Sequence, residues 1–313
     1  MPLDLSVERF LKKLAALNPP GALTLSVAER RDALRHMLAF AGTSPAVGSI
    51  EDRTLPGPDA AITIRRYSPA AAPPGAFPAL VYFHGGGLVA GSLDTHDGIC
   101  RSLCLAGGCR VLSVDYRLAP EHRFPAALSD AIAATSFIAS HPAEFGVDPQ
   151  RLGLCGDSAG ATLAAVVAQH LARQGTLTVA LQVLICPIMD LAAQTASRRE
   201  YAQGYLVDES TLAHDLKYYL QEGSDPADPR ISPLRTTQLA GLPPACIHTA
   251  EFDPLRDEGC LYSERLRQAG IATRYTCHPG MIHLFYGMGN LVPYAATAWN
   301  LIGSDIRALF AMA

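Results

Sequence analysis

The stretch Leu152-Gly153-Leu154-Cys155-Gly156-Asp157-Ser158-Ala159-Gly160-Ala161 joins an apolar run to an alanine-rich pattern that continues to Ala172. Residues 152–155 read as a short buried strand and the alanine-rich part as a helix. Between them stands Gly156-x-Ser158-x-Gly160. A serine there is expected on a sharp, strained turn, and the flanking small residues let strand and helix approach closely. A bare G-x-S-x-G also arises by chance as a small-residue turn. The strand before it and the helix after it argue against that bland reading.

Working outward, similar apolar runs recur at 61–67, 79–83, 110–114, 180–186, 245–249 and 273–277. Helical patterns fall at about 94–107, 126–140, 159–173, 255–269 and 295–310. Strands alternating with helices predict an α/β fold with a mostly parallel central sheet covered on both faces. Two regions do not follow this rhythm. Residues 6–17 place Val7, Phe10, Leu11, Leu14 and Leu17 on one helical face, with Ser6 as N-cap and Asn18-Pro19-Pro20 as stop. A second helix over 27–40 leads into a linker, Gly42-Thr43-Ser44-Pro45. Residues 191–241, with a polar helix near 208–221, are too long for one crossover and read as an insertion. The division expected is a core of 46–190 and 242–313, with 1–45 and 191–241 forming a helical cap.

Composition narrows the function. The 313 residues are 49% hydrophobic and 17% charged, enough for a large core, and the net charge is −4. A nucleic-acid partner would call for a clustered basic excess, so none is expected. Charges within the first twenty residues (Asp4, Glu8, Arg9, Lys12, Lys13) do not make a signal peptide. No apolar stretch is long enough for a membrane anchor, and a cytoplasmic location is expected. Cys100, Cys104, Cys109, Cys155, Cys186, Cys246, Cys260 and Cys277 lack metal spacing and read as reduced, mostly buried thiols. Neither a metal nor a cofactor is expected. Trp299, Ile302, Ile306, Leu309 and Phe310 share one side of the closing helix, for core packing or, alternatively, a homodimer contact.

The second chemical cluster, His84-Gly85-Gly86-Gly87, follows the 79–83 run. Bare backbone N–H groups there can stabilise the oxyanion of a tetrahedral intermediate, each worth about 3 kcal/mol of barrier. A phosphate loop fits poorly, because neither G-x-x-x-x-G-K-[ST] nor G-x-G-x-x-G is present. A serine nucleophile needs a base and an orienting carboxylate. Asp253 lies in a loop after the 245–249 run, its backbone extended by Pro254; Asp257 and Asp190 compete with it. After the 273–277 run come His278, fixed by Pro279, and His283, in the loop body beyond Gly280. His96, His122, His141 and His214 read as ordinary surface or core residues.

Together these clusters resemble the hormone-sensitive-lipase family of α/β-hydrolase esterases, in its bacterial GDSAG branch. The resemblance rests on His84–Gly87, Asp115-Tyr116-Arg117-Leu118-Ala119-Pro120-Glu121 with Phe124-Pro125, Gly156–Gly160, Asp253–Asp257 and His283-Leu284-Phe285. It covers about residues 55–290 in matching order and spacing. It implies Ser158 as nucleophile, His283 as base, Asp253 as acid, and an oxyanion hole from the N–H groups of Gly86, Gly87 and Ala159. His84, Gly85, Asp157, Gly156 and Gly160 would support them, and a helical cap would cover a modest pocket for short to medium acyl esters. Leu88 stands where an aromatic residue often follows the glycines. The segment 115–121 reads as architectural, its charges pairing around the glycine loop. A lactonase, amidase or deacetylase could use the same triad, and a non-catalytic small-molecule receptor could share the fold.

Overall fold

The computed structural model describes residues 2–17, 22–73, 75–175 and 177–312. The Asn18-Pro19-Pro20 stop lies outside the described residues. Among the described residues eight strands form one sheet: β1 (Ser49–Leu55), β2 (Ile62–Ser68), β3 (Phe77–Phe83), β4 (Arg110–Val114), β5 (Val147–Asp157), β6 (Gln182–Ile185), β7 (Ala245–Phe252) and β8 (Thr273–Ile282). Their spatial order is β1-β2-β4-β3-β5-β6-β7-β8. β2 pairs antiparallel with both β1 and β4, and every later pairing is parallel, so β2 alone runs against the rest.

The helices are α1 (Leu5–Leu17), α2 (Val27–Ala41), α3 (Asp97–Gly107), α4 (Ala126–Ser140), α5 (Pro142–Phe145), α6 (Ala159–Gln174), α7 (Ala196–Glu200), α8 (Glu209–Tyr219), α9 (Arg256–Gln268) and α10 (Tyr294–Phe310). One apolar cluster packs α4, α6 and α9 against the sheet, and a second packs α3 and α10 against the other face. The α10 stripe Trp299, Ile302, Ile306, Leu309 and Phe310 is buried within this chain. Of the eight cysteines, all but Cys260 and Cys277 are buried.

The strand order places the site. After β3 the chain crosses through α3 to β4 on one side, then returns over β3 to β5 on the other. β3 and β5 are therefore neighbours whose following loops part in opposite directions. Ligands of open α/β sheets bind at such switch points, beyond the carboxyl ends of the strands. The register pairs Phe83 with Gly156, so His84–Gly87 emerges directly beside Ser158.

Several details differ from the sequence expectation. The N-cap of α1 is Asp4, not Ser6: its carboxylate accepts from the Ser6 N–H at 2.8 Å, and Ser6 is already helical. The α1 stripe is buried only at its start; Val7 is fully enclosed while Leu17 is 77% exposed. α2 opens with a capping box, Ser26 with Glu29. β1 had no apolar signal because it is an edge strand. Its Glu51 and Asp52 pair instead across the ladder with Arg66 and Arg65. β8 runs five residues beyond the expected Cys277, so His278, Pro279 and Gly280 are strand rather than loop.

A buried charge cluster fixes the chain where it leaves β6. Glu258 on α9 accepts from the N–H groups of Met189 and Asp190 at 2.9 and 2.8 Å, and from Arg198 Nε at 2.6 Å. Burial pushes the Glu258 carboxyl up to about 7, against the pull of Arg198. Arg198→Ala would leave that carboxylate buried without its cation, a loss of about 3–5 kcal/mol. Glu8→Ala removes an exposed pair with Lys12 and should cost under ~1 kcal/mol. Urea unfolding of both variants checks the contrast; equal losses would contradict this account.

Candidate active site

Ser158 occupies the turn between β5 and α6 with φ 52° and ψ −122°. A positive φ at a residue with a side chain is strained and must be held by its surroundings. The Ser158 N–H donates to Ile185 O at 2.8 Å, and its carbonyl accepts from Ile188 N at 3.3 Å. The turn is thereby pinned to the end of β6. The flanking glycines have steric reasons. A Cβ on Gly156 would collide with the backbone of Gly160, and one on Gly160 with the carbonyl oxygen of Phe83 at the end of β3.

Asp157, beside it, is wholly buried. Its carboxylate accepts from Gly85 N at 2.9 Å, from Tyr286 Oη at 2.8 Å and from Tyr82 Oη, and it lies 3.6 Å from His96 Nε2. Burial alone would raise its pKa. The charge of His96 and the donated hydrogen bonds outweigh burial and hold it at about 2. Asp157 is thus an anchor for the glycine loop. Gly85 must be glycine there, since a Cβ would sit 2.5 Å from Asp157 Oδ2.

The loop itself turns through Gly86 and Gly87 at φ 112° and 68°, values that favour glycine. Among the described residues, no protein acceptor is bonded to the N–H groups of Gly86, Gly87 or Ala159. His84 is buried, its Nδ1 2.8 Å from Gly85 O, and burial lowers its pKa to about 3. Tyr116 stacks on the His84 ring at 4.3 Å and donates to its carbonyl at 2.6 Å. So an aromatic ring, rather than the charges of 115–121, touches the glycine loop. Arg117 binds outward to Asp130 and Asp59, while Glu121 holds Arg31, whose Nε donates to Val89 O just past the glycines at 2.9 Å.

The competing acids and bases separate cleanly. Asp253, just past β7, lies 2.8 Å from His283 Nδ1 through Oδ2, and its Oδ1 accepts from Leu255 N at 2.9 Å. Asp257 binds Ser197 N and Arg256, and Asp190 binds Arg235. His278 points into the sheet edge, with its Nε2 3.2 Å from His248 Nδ1, and burial lowers its pKa to about 4. For His283 burial also works downward, but the charge and hydrogen bond of Asp253 win and its pKa is raised.

Ser158, His283, Gly86 and Gly87 line one cavity of about 170 Å³. Its wall includes Leu34 and Met37 of α2 and Leu206, Val207 and Leu212 from the 191–241 segment. A small apolar recess beyond Gly87 is lined by Ala159, Thr162, Leu191 and Tyr219. A larger hollow of about 630 Å³ at Pro149, Leu171 and Leu242 contains neither Ser158 nor His283, so size does not select the site. Three contributors were missed in the sequence: Tyr82, Tyr286 and His96, the last read as an ordinary histidine. Only folding brings them to Asp157. Among the described residues no helix is long and apolar enough to cross a membrane.

Residues 80–287 match the family described as alpha/beta hydrolase fold. The chain is 42% identical to the carboxylic ester hydrolase LipN of Mycobacterium tuberculosis over 283 residues, covering 87% of this chain and 74% of that protein. It is 39% identical to the ethyl acetate hydrolase of Pseudomonas putida over 259 residues, covering 82% and 81% of the two. Its structure matches an ester hydrolase from the metagenome of Lake Arreo, solved with a bipyridine phosphonate derivative. The TM-score is 0.96 at 39% identity, over 99% of each chain. The chain belongs to the α/β hydrolase fold family, in its hormone-sensitive-lipase-like branch.

Proposed function

We propose that this protein is a serine carboxylic ester hydrolase working through Ser158, His283 and Asp253. The observation that carries the reading is the buried 2.8 Å pair of His283 and Asp253. It opens on the same cavity as the strained Ser158 turn. The relatives named as ester hydrolases support the same substrate class.

Ser158 Oγ attacks the ester carbonyl as His283 Nε2 takes its proton. Asp253 accepts the Nδ1–H bond, which fixes the tautomer and stabilises the imidazolium that forms. The oxyanion is met by the N–H groups of Gly86, Gly87 and Ala159, a role supported by their having no acceptor among the described residues. His283 then returns the proton to the leaving alcohol, giving the acyl-enzyme. Water, deprotonated by the same imidazole, attacks the acyl carbon and releases the acid. Of the expected cap, α2 and residues 206–215 cover the cavity, while α1 lies against β8. The cavity's 170 Å³ and the small recess suit short to medium acyl chains.

Ser158→Ala should abolish hydrolysis of p-nitrophenyl butyrate without lowering the melting temperature, and a serine-directed phosphonate should give one adduct, on Ser158. Full residual activity would sink the assignment. Since protonated His283 cannot act as base, kcat/KM should fall as pH drops through its pKa. That pKa is raised by Asp253, so the acid limb should lie above the ordinary histidine value of about 6.5. Asp253→Asn removes the charge that holds the proton, so the limb should move to lower pH while kcat drops by about 10⁴-fold. A pH–rate profile with an unmoved limb in that variant would show that Asp253 does not act on His283.

A further inference from the structure

One polar feature of the Ser158 cavity takes no part in the steps above. Arg30 of α2 and Asp215 of α8 form an ion pair whose side chains are 9% and 11% exposed. Both face the cavity that holds Ser158 and His283, and Asp215 also borders the recess beyond Gly87. Asp215 Oδ1 faces Arg30. Oδ2 lies against the backbone of Gly87, so close that a Cβ on that residue would collide with it. Among the described residues Oδ1 and Arg30 Nη1 are the atoms of the pair closed off from the cavity, and Oδ2 is left as the acceptor on the cavity side.

This is a costly arrangement for an apolar pocket. Oδ2 faces the cavity without a protein donor, so a substrate that displaces water from it and offers no hydrogen bond in return pays the desolvation of that oxygen. A negative charge beside the Gly87 N–H also opposes an oxyanion forming there, and Arg30 is needed to offset it. The leucines and methionine on the same wall show that the cavity could have been lined without this pair. A donor on the substrate resolves the cost. Arg30 already balances the charge of Asp215, so an ammonium group would arrive as an uncompensated third charge. A neutral hydroxyl satisfies Oδ2 with no charge left over.

We propose that Asp215, held by Arg30, is a specificity-determining residue that accepts a hydrogen bond from a substrate hydroxyl placed a few bonds from the reacting carbonyl. The favoured substrates are then hydroxy-substituted short-chain esters. The inference rests on Ser158 being the nucleophile of an ester hydrolase.

The test compares kcat/KM for ethyl 3-hydroxybutyrate, 2-hydroxyethyl butyrate and ethyl butyrate, which places the hydroxyl on the acyl side, the alcohol side or neither. The wild-type enzyme should favour one hydroxy ester over ethyl butyrate by about tenfold or more. In Asp215→Leu that ratio should collapse towards unity or invert. A purely structural latch between α2 and α8 would lower all three rates together and leave the ratio intact. Asp215→Asn, which keeps the shape and a weaker acceptor, should lower the ratio several-fold and carries the test if the leucine variant does not fold. The proposal is overturned if the wild type prefers neither hydroxy ester, or if both variants keep the wild-type ratio. In those cases phosphonate labelling of Ser158 and turnover of ethyl butyrate would leave the hydrolase reading standing. No turnover of any ester and no label on Ser158 would bring down both.

Discussion

The site hangs on one buried carboxylate. Asp157 is fully removed from water, where an ionised acid is unfavourable unless its oxygens are met by donors or positive charge. Here Gly85 N–H, Tyr82, Tyr286 and the neighbouring His96 meet them. Each partner belongs to a different piece: Tyr82 to β3, Gly85 to the glycine loop, His96 to the start of α3, and Tyr286 to the segment after His283. Asp157 itself precedes Ser158. Because each partner left unmade would strand a buried charge, the pieces are held together as a network rather than as separate contacts. The glycine loop and the serine turn therefore keep a fixed relation.

The sheet makes that network affordable by bringing the ends of its strands together. β3 delivers the glycine loop and β5 the serine, side by side at the switch in strand order. The end of β6 takes the Ser158 N–H, β7 delivers Asp253, and β8 delivers His283. The pairing of β7 with β8 shifts register between Ala250 and Phe252, just before the acid. Four parallel strand ends, β3, β5, β7 and β8, thus supply every group that the proposed chemistry uses, the end of β6 holds the serine turn, and the rigidity of the sheet limits how far any of them can drift.

What could be read from the chain follows from how local each constraint is. The serine turn and the glycine loop are legible because their steric demands fall on adjacent residues. The buried strands are legible because the core demands apolar runs. β1 was not, because an edge strand satisfied by Glu51–Arg66 and Asp52–Arg65 has no apolar face to announce it. The extension of β8 through His278-Pro279-Gly280 was hidden by residues that ordinarily mark loops. The partners of Asp157 were hidden by distance: Tyr82 is 75 residues away in sequence and Tyr286 is 129. No spacing rule links such positions. The raised pKa of His283 and the lowered one of His278 likewise depend on neighbours brought in by folding.

The same contrast separates the chemistry from the cavity wall. Strand ends and the Asp157 network hold Ser158, while α2 and α8 supply much of the surface that a substrate would meet. These two helices come from distant parts of the chain and meet through Arg30 and Asp215. None of the Asp157 donors lies on either helix. Substitutions on α2 or α8 can therefore reshape what enters the cavity without touching the groups that fix the serine turn. Asp215 couples the two, because its carboxylate lies against Gly87. There the cavity wall and the loop proposed to stabilise the oxyanion come into close approach, so a substitution of Asp215 is expected to act on both.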